Sequence, residues 1–371
     1  EKRASGKPHV ARQRAVGINF PSLEPREGRR SVALTVELFD GVALLADLDR
    51  IEIRGAQSYS WFGRIRGLPN SRATLTVVKG VLAGNLIVLD DWHRVKGSYQ
   101  IESAGDGLYL LEEIDPSAFP EDHPPGIDLQ PPIPPMRLDG PTPRVNEKSG
   151  ATVTVDVMVV YSSQTASAAG SAIDAQIQAA VDSANSIYAN SGVDTRLRLV
   201  YSGPASYSQS GDFYTDLDRL TGTGDGAMDN VHALRDAYGA DMVSLWIETG
   251  TYCGLGWIGP SASYAFTVVN RGCATSNSTF AHELGHNMGA LHDPYVDSST
   301  YPYSYGHGHV NLVARWRTVM SYNDQCAATA PGTSCTRIPY FSNPNLTYGG
   351  APLGTAAAGS TPTADNARVH N

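Results

Sequence analysis

No cysteine precedes Cys253 and no lysine follows Lys148. No apolar run approaches the roughly eighteen residues that a membrane-spanning helix needs. The last absence excludes a helical membrane protein. The first leaves the N-terminal part without disulfides or thiolate metal ligands, and the four cysteines show no C-x-x-C spacing of the kind a thiolate zinc site uses. They fall instead into two local pairs, Cys253/Cys273 and Cys326/Cys335. Four cysteines allow three connectivities; local pairing is the choice among them, and disulfides suit an exported protein. Glu1-Lys2-Arg3 has no apolar stretch behind it, so an export signal is expected to have been removed already. From residue 151 onward nine arginines and no lysine stand against seventeen Asp and Glu, within a formal net charge of −9 for the chain. That acidity gives no electrostatic reason to bind nucleic acid.

With 371 residues and 41% hydrophobic content the chain is long enough for two or three domains with real cores. Residues 1–30 are basic and aperiodic, eight Lys and Arg against three acids, and read as a loose arm. Residues 31–115 carry short apolar or alternating runs between Gly-, Asn- and Asp-containing turns, such as Ser31–Val36 and Ala73–Val78, and read as an all-β domain. Ten prolines between 116 and 150 favour extended polyproline conformations over a packed core, which marks a linker. Residues 151–371 then alternate strand and helix patterns. Strands are expected at Thr152–Tyr161, Arg196–Tyr201, Met242–Ile247 and Ala262–Val269, with helices over Ile173–Tyr188 and Met228–Tyr238.

The chemistry is concentrated in H-E-L-G-H-N-M-G-A-L-H-D at 282–293. His282 and His286, four apart, project from one face of a helix and can grip one Zn²⁺ through ring nitrogens. Glu283 lies beside the first of them, where a carboxylate reaches the metal's water without ligating the metal. Gly289 permits a sharp turn that returns His292 as third ligand. Three protein ligands leave a fourth position open, the arrangement of a catalytic zinc. Ser278 is the expected N-cap of this helix.

The long histidine motif, followed by Thr318-Val319-Met320-Ser321-Tyr322, resembles the metzincin clan of zinc metalloendopeptidases. The resemblance implies an α+β or α/β catalytic domain with a twisted mixed sheet, an active-site helix, and Met320 as a hydrophobic base beneath the zinc. Asp293 resembles the adamalysin (reprolysin) branch, in which this aspartate is buried and holds the Met-turn. Tyr322 resembles astacins and serralysins, in which such a tyrosine approaches the zinc and can donate to the developing oxyanion. The runs F-A-H-E-L-G-H-N-M-G-A-L-H-D, Y-G-H-G-H, W-R-T-V-M-S-Y-N and F-S-N-P-N-L-T-Y-G-G are similar to the bacterial peptidyl-Asp metalloendopeptidases, secreted enzymes that cut on the amino side of aspartate.

This resemblance implies a zymogen: residues 1 to about 148 as propeptide and intramolecular inhibitor, then a cut between Pro131 and Thr152. With no cysteine available to cap the zinc, Asp139 is the first candidate latency switch and Asp128 the second. An aspartate-selecting pocket needs a cation, so Arg337 and then Arg317 are its candidates. Substrate would pair with an edge strand near Ala262–Val269. Asp225, Asp229 and Asn230 raise Ca²⁺ binding as an option without loop spacing to support it. His307 and His309 read as loop residues near the cleft. A scarcity of lysines suits an enzyme that lives among proteases, and a monomer acting on protein or peptide substrates is expected. A non-catalytic metalloprotease-like binding module and a zinc amidase acting on cell-wall peptides remain as alternatives.

Overall fold

A computed structural model describes residues 7–24, 33–68, 70–90, 93–123, 129–131, 152–248, 250–356 and 361–371. The chain divides into two compact units, one comprising 1–119 with 168–183 and the other 120–167 with 184–371.

The first unit is built on one antiparallel sheet of eight strands: β1 (Val10–Val16), β2 (Ala33–Glu37), β3 (Ala43–Gly55), β4 (Ser58–Ile65), β5 (Arg72–Val78), β6 (Val81–Leu89), β7 (Val95–Gly105) and β8 (Leu108–Ile114). Their order is β1-β8-β7-β6-β5-β4-β3-β2. Two-residue turns set the registers of two hairpins. Lys79-Gly80 joins β5 to β6 and Asp106-Gly107 joins β7 to β8, all four residues at positive φ. Turns of that hand match the twist of the strands they connect. Trp61, Leu82, Leu86 and Leu111 fill the core. The expected loose arm is corrected here: Val10–Val16 pairs with β8 from Val10 opposite Ile114 to Val16 opposite Tyr109. Charge hid this strand, because Arg12 is neutralised only across the sheet, by Glu113 and by Asp40 at 2.7 Å. A short helix α1 (Phe20–Leu23) follows it.

The second unit carries β9 (Thr154–Tyr161), most of α2 (Ser163–Ala169), the C-terminal part of α3 (Ile173–Asn190), β10 (Arg196–Pro204), α4 (Phe213–Thr221), α5 (Asp229–Tyr238), β11 (Met242–Ile247), β12 (Gly254–Gly256), β13 (Phe266–Asn270) and α6 (Thr279–Met288). Its sheet runs β10-β9-β11-β13-β12, parallel except for the antiparallel β12 at the edge. Interior parallel strands are covered on both faces and so read as continuous apolar runs. β11 fits, with all six residues Met-Val-Ser-Leu-Trp-Ile buried. Phe213, Leu217 and Leu220 of α4 pack with Leu245, Ile247, Phe266 and Val268 in one core.

Two expectations shift in this unit. The edge strand is Gly254–Gly256 rather than Ala262–Val269; residues 262–264 form a 3₁₀ turn, and the strand after them is interior. The run looked like one strand because its apolar residues continue through the turn. Ser278 adopts φ 60° and makes no side-chain capping bond, so α6 begins at Thr279 without the expected cap. No described helix is long and apolar enough to cross a membrane.

Candidate metal centre and active site

Helix α6 is buried from Thr279 through Asn287, so its polar residues at 282, 283 and 286 are held inside the protein and need partners there. His282 and His286 find them on one side only. Nδ1 of His282 lies 2.9 Å from the Val319 carbonyl, and Nδ1 of His286 lies 2.9 Å from the Ala290 carbonyl. Each Nδ1 therefore carries the proton and each Nε2 presents a lone pair inward. Those two Nε2 atoms stand 3.0 Å apart. Two lone pairs facing at that distance repel unless a cation lies between them. Gly289, at φ 100°, ends the helix and turns the chain so that His292 joins, its ring centroid 4.7 Å from that of His286 and 5.3 Å from that of His282. Neither ring nitrogen of His292 has a hydrogen-bond partner although both are buried.

A fourth imidazole stands in the same cluster. Ligand atoms of His123, His282, His286 and His292 all lie within 4.8 Å of one another, and all four residues are buried. Nitrogens sharing one tetrahedral zinc at ~2.0–2.1 Å stand about 3.4 Å apart, so the cluster has the dimensions of such a site. Burial lowers the pKa of His282 to about 4 and pushes those of His286 and His292 well below their ordinary value. That favours the neutral imidazole, the form that ligates. The donor chemistry, the inward lone pairs and the two partnerless nitrogens of His292 all fit a zinc ion. Among the described residues no other His, Cys, Asp and Glu side chains converge in this way.

Glu283 is fully buried, and neither carboxylate oxygen has a hydrogen-bond partner. Burial, with Asp122 nearby, raises its carboxyl well above the ordinary value. Space for it comes from the edge strand. A Cβ at Gly254 would meet Glu283 Oε1 at 2.4 Å, and one at Gly256 would meet Oε2 and the backbone oxygen of Glu283 at 3.2 Å. Gly254→Ala therefore displaces the carboxylate, and a positional error of about 1 Å at such a group can cost on the order of 10²-fold. A fall in kcat of about ten- to a hundredfold with unchanged metal content is expected, read by steady-state kinetics beside metal analysis.

Below the helix, the Met320 sulfur lies 3.0 Å from where a Gly285 Cβ would stand, so the absent side chain lets Met320 pack between the turns that carry the two histidines. Asp293 Oδ2 accepts from the Tyr322 backbone N–H at 2.8 Å and Oδ1 from that of Tyr295 at 3.3 Å, fixing the turn that follows Met320. Asp293→Ala would leave the buried Tyr322 N–H unpaired at a cost of about 1–3 kcal/mol, visible as a lower urea midpoint; Asp293→Asn keeps an acceptor and should lose less. Burial holds the Tyr322 hydroxyl in its protonated, donating form by raising its pKa well above the usual value.

The Arg337 side chain is buried beside the centre. It donates to the Asn277 carbonyl at 2.9 Å and pairs with Asp122 at 2.5 Å. The Asp122 carboxylate also accepts from Thr279 Oγ1 at 2.8 Å and lies 3.6 Å from His282 Nδ1. Burial alone would push this carboxyl up, but Arg337 and His282 hold it well below the ordinary carboxylate range. Arg317 is placed differently: it donates to the carbonyls of Ser321 and Cys335 and supports the loop behind Tyr322. Burial, with Arg337 nearby, brings its pKa down to about 10.

The candidates at 282, 283, 286, 289, 292, 293, 320, 322 and 337 thus converge. Asp128 and Asp139 lie outside the described residues. Disulfides join Cys253 to Cys273 and Cys326 to Cys335, with Cα separations of 5.5 and 5.9 Å. His307 bridges the carbonyls of His292 and Ser299 at 2.7 and 3.0 Å, and the ring of His309 lies 5.7 Å from that of Trp316. Asp229 accepts from the backbone of Gly224 and Gly226, and Asp225 from Ala227, so these carboxylates cap their own loop. Sequence reasoning missed Asp122, His123, Asn277, Thr279, Gly254 and Gly256. One signal was available: His123 is the single histidine of the proline-rich stretch 116–150.

Comparison with known proteins gives a consistent result. The family model described as metallo-peptidase family M12, reprolysin type, matches residues 151–364. Over 377 aligned residues the chain is 34% identical to the peptidyl-Asp metalloendopeptidase of Xanthomonas campestris pv. campestris, covering 99% of this chain and 85% of that protein. Over 322 residues it is 38% identical to the peptidyl-Asp metalloendopeptidase of Stenotrophomonas maltophilia, covering 83% of this chain and 74% of that protein.

Proposed function

Because the chain belongs to metallo-peptidase family M12 and is a zinc metalloendopeptidase, we propose that it is a secreted proenzyme of the metzincin type whose processed form cuts peptide bonds on the amino side of aspartate. His282, His286 and His292 would hold the zinc, which when bound would supply Lewis acidity towards the scissile carbonyl and a lowered pKa, towards about 7, for a water beside it. Glu283 takes the proton of the attacking water on a carboxylate oxygen that has no other partner, then delivers it to the leaving amine. Tyr322 donates its hydroxyl proton to the oxygen that gains charge during attack. The edge strand β12 offers its backbone to an extended substrate, and Met320 and Asp293 keep the histidines and Tyr322 in place.

Selection of aspartate falls to Arg337 with Thr279 and Asn277. The observation that carries this reading is Asp122, a carboxylate already seated on Arg337 at 2.5 Å and on Thr279 at 2.8 Å, next to the histidine cluster. A buried guanidinium matches a carboxylate in charge and planar geometry, which a neutral asparagine does not. Secretion is supported by the two disulfides, which persist in oxidising surroundings. The proenzyme reading assigns the N-terminal β-rich region to the propeptide and places the activating cut between Pro131 and Thr152. Products of a mixed peptide library cut by the processed enzyme should carry Asp at their new N-termini. Changing that Asp to Asn in one peptide should lower kcat/KM by about a hundredfold or more. New N-termini with no acidic enrichment would overturn the specificity.

A further inference from the structure

We propose that His123 is a fourth ligand of the metal centre and that Asp122 fills the Arg337 pocket, so that residues 121–123 form a two-point lock closing the active site from within the chain. The proposal rests on the functional reading above and adds to it the group that keeps the enzyme latent.

The segment is docked along β12. Cys253 N–H donates to the Glu121 carbonyl at 2.9 Å, Gly254 N–H to that of Asp122 at 3.1 Å, and Ile258 N–H to that of Leu129 at 2.9 Å. Residue numbers rise together on both sides, so the segment runs in the same direction as the edge strand and occupies the backbone groups offered to substrate. His123 is 1% exposed, with its ring centroid 4.7 Å from that of His292 and 5.5 Å from that of His286. Its backbone is gripped as well. The Tyr322 hydroxyl donates to the His123 carbonyl at 2.6 Å and accepts from the His123 N–H at 3.0 Å. The hydroxyl assigned to the reacting carbonyl is therefore engaged by a carbonyl of the lock.

Three points of the reaction are blocked together. A fourth imidazole turns an open zinc site into a closed one, the form of structural zinc, and leaves no position for water. Asp122 neutralises the cation that would select substrate. The main chain at 121–122 covers the edge strand. A histidine here needs no cysteine, consistent with a chain in which none precedes Cys253. Cutting the chain downstream removes the tether on residues 121–123, so that His123 and Asp122 can leave and water can take the open position.

The test uses the full uncut chain carrying Glu283→Gln, which prevents self-cleavage, loaded with cobalt(II) in place of zinc. Acetohydroxamate, a small metal-binding probe, is titrated while the cobalt absorption spectrum is followed. The uncut chain should show a four-nitrogen spectrum that resists the probe. His123→Phe, which keeps the ring's bulk without a ligand atom, should bind it at concentrations at least about a hundredfold lower. Asp122→Asn, which keeps His123, should shift the midpoint by about tenfold, because a buried charge pair is lost. Equal midpoints in the uncut chain and His123→Phe would overturn the metal half, and an unchanged midpoint in Asp122→Asn the pocket half. Should His123→Phe fail to fold, zinc X-ray absorption on the uncut chain decides alone: four imidazoles support the lock, and three with an oxygen ligand overturn it. Loss of aspartate preference in the peptide library leaves these spectra untouched, so the lock and the specificity fail separately.

Discussion

Replacing Glu283 by glutamine in the processed enzyme should lower kcat by about three orders of magnitude or more while metal content stays unchanged. General-base catalysis by a positioned group contributes typically 10²–10⁴-fold, and several features place Glu283 at the upper end. Glutamine matches the shape of glutamate, so the glycine-lined space at Gly254 and Gly256 accepts it without a clash. The amide cannot take a proton from water. Burial also makes the native carboxylate a stronger base than an exposed one, since desolvation raises its proton affinity. The carboxylate beside it in the uncut chain, Asp122, leaves with the propeptide and so cannot take over its role. Zinc analysis and kinetics on the same preparation check the result. Near-normal kcat in a fully metallated variant would remove Glu283 from the reaction.

Arg337→Gln should have the second-largest effect, in two opposite places. In the processed enzyme kcat/KM for a peptide with aspartate after the cut bond falls by about 10³, while the asparagine analogue changes little, because the discrimination comes from a buried ion pair that glutamine cannot form. In the uncut chain the same substitution strands the Asp122 carboxylate, which is fully buried. Removing one partner of a buried pair costs about 3–5 kcal/mol, so the uncut variant should unfold at a distinctly lower urea concentration than its parent. A uniform loss on both peptides would instead mark Arg337 as a support for the loop.

The difference between what was legible and what was not follows the distance along the chain over which each feature is encoded. His282, Glu283 and His286 are set by helical spacing, Gly289 by its φ of 100°, and β11 by a six-residue apolar run. Each is a local rule that needs no knowledge of the rest. Strand β1 was missed because its Arg12 is neutralised by Glu113 and Asp40, and β12 because Gly-Leu-Gly carries no strand pattern at all. Those glycines matter only once Glu283 is seen lying over them.

The sequence by itself determined the two histidines one helical turn apart, the glutamate beside them, the third histidine after the glycine turn, and the methionine turn, since each sits in a short segment whose geometry its own residues dictate. Only the tertiary structure decided that a lone histidine in a proline-rich stretch joins three histidines more than 150 positions away, that Asp122 meets Arg337, and that Tyr322 grips the backbone of His123. Proline-rich chain has no periodicity to announce where it docks. Its place is fixed by the unsatisfied edge of β12 and by buried charges that must find partners, and both come into being only when distant segments fold together.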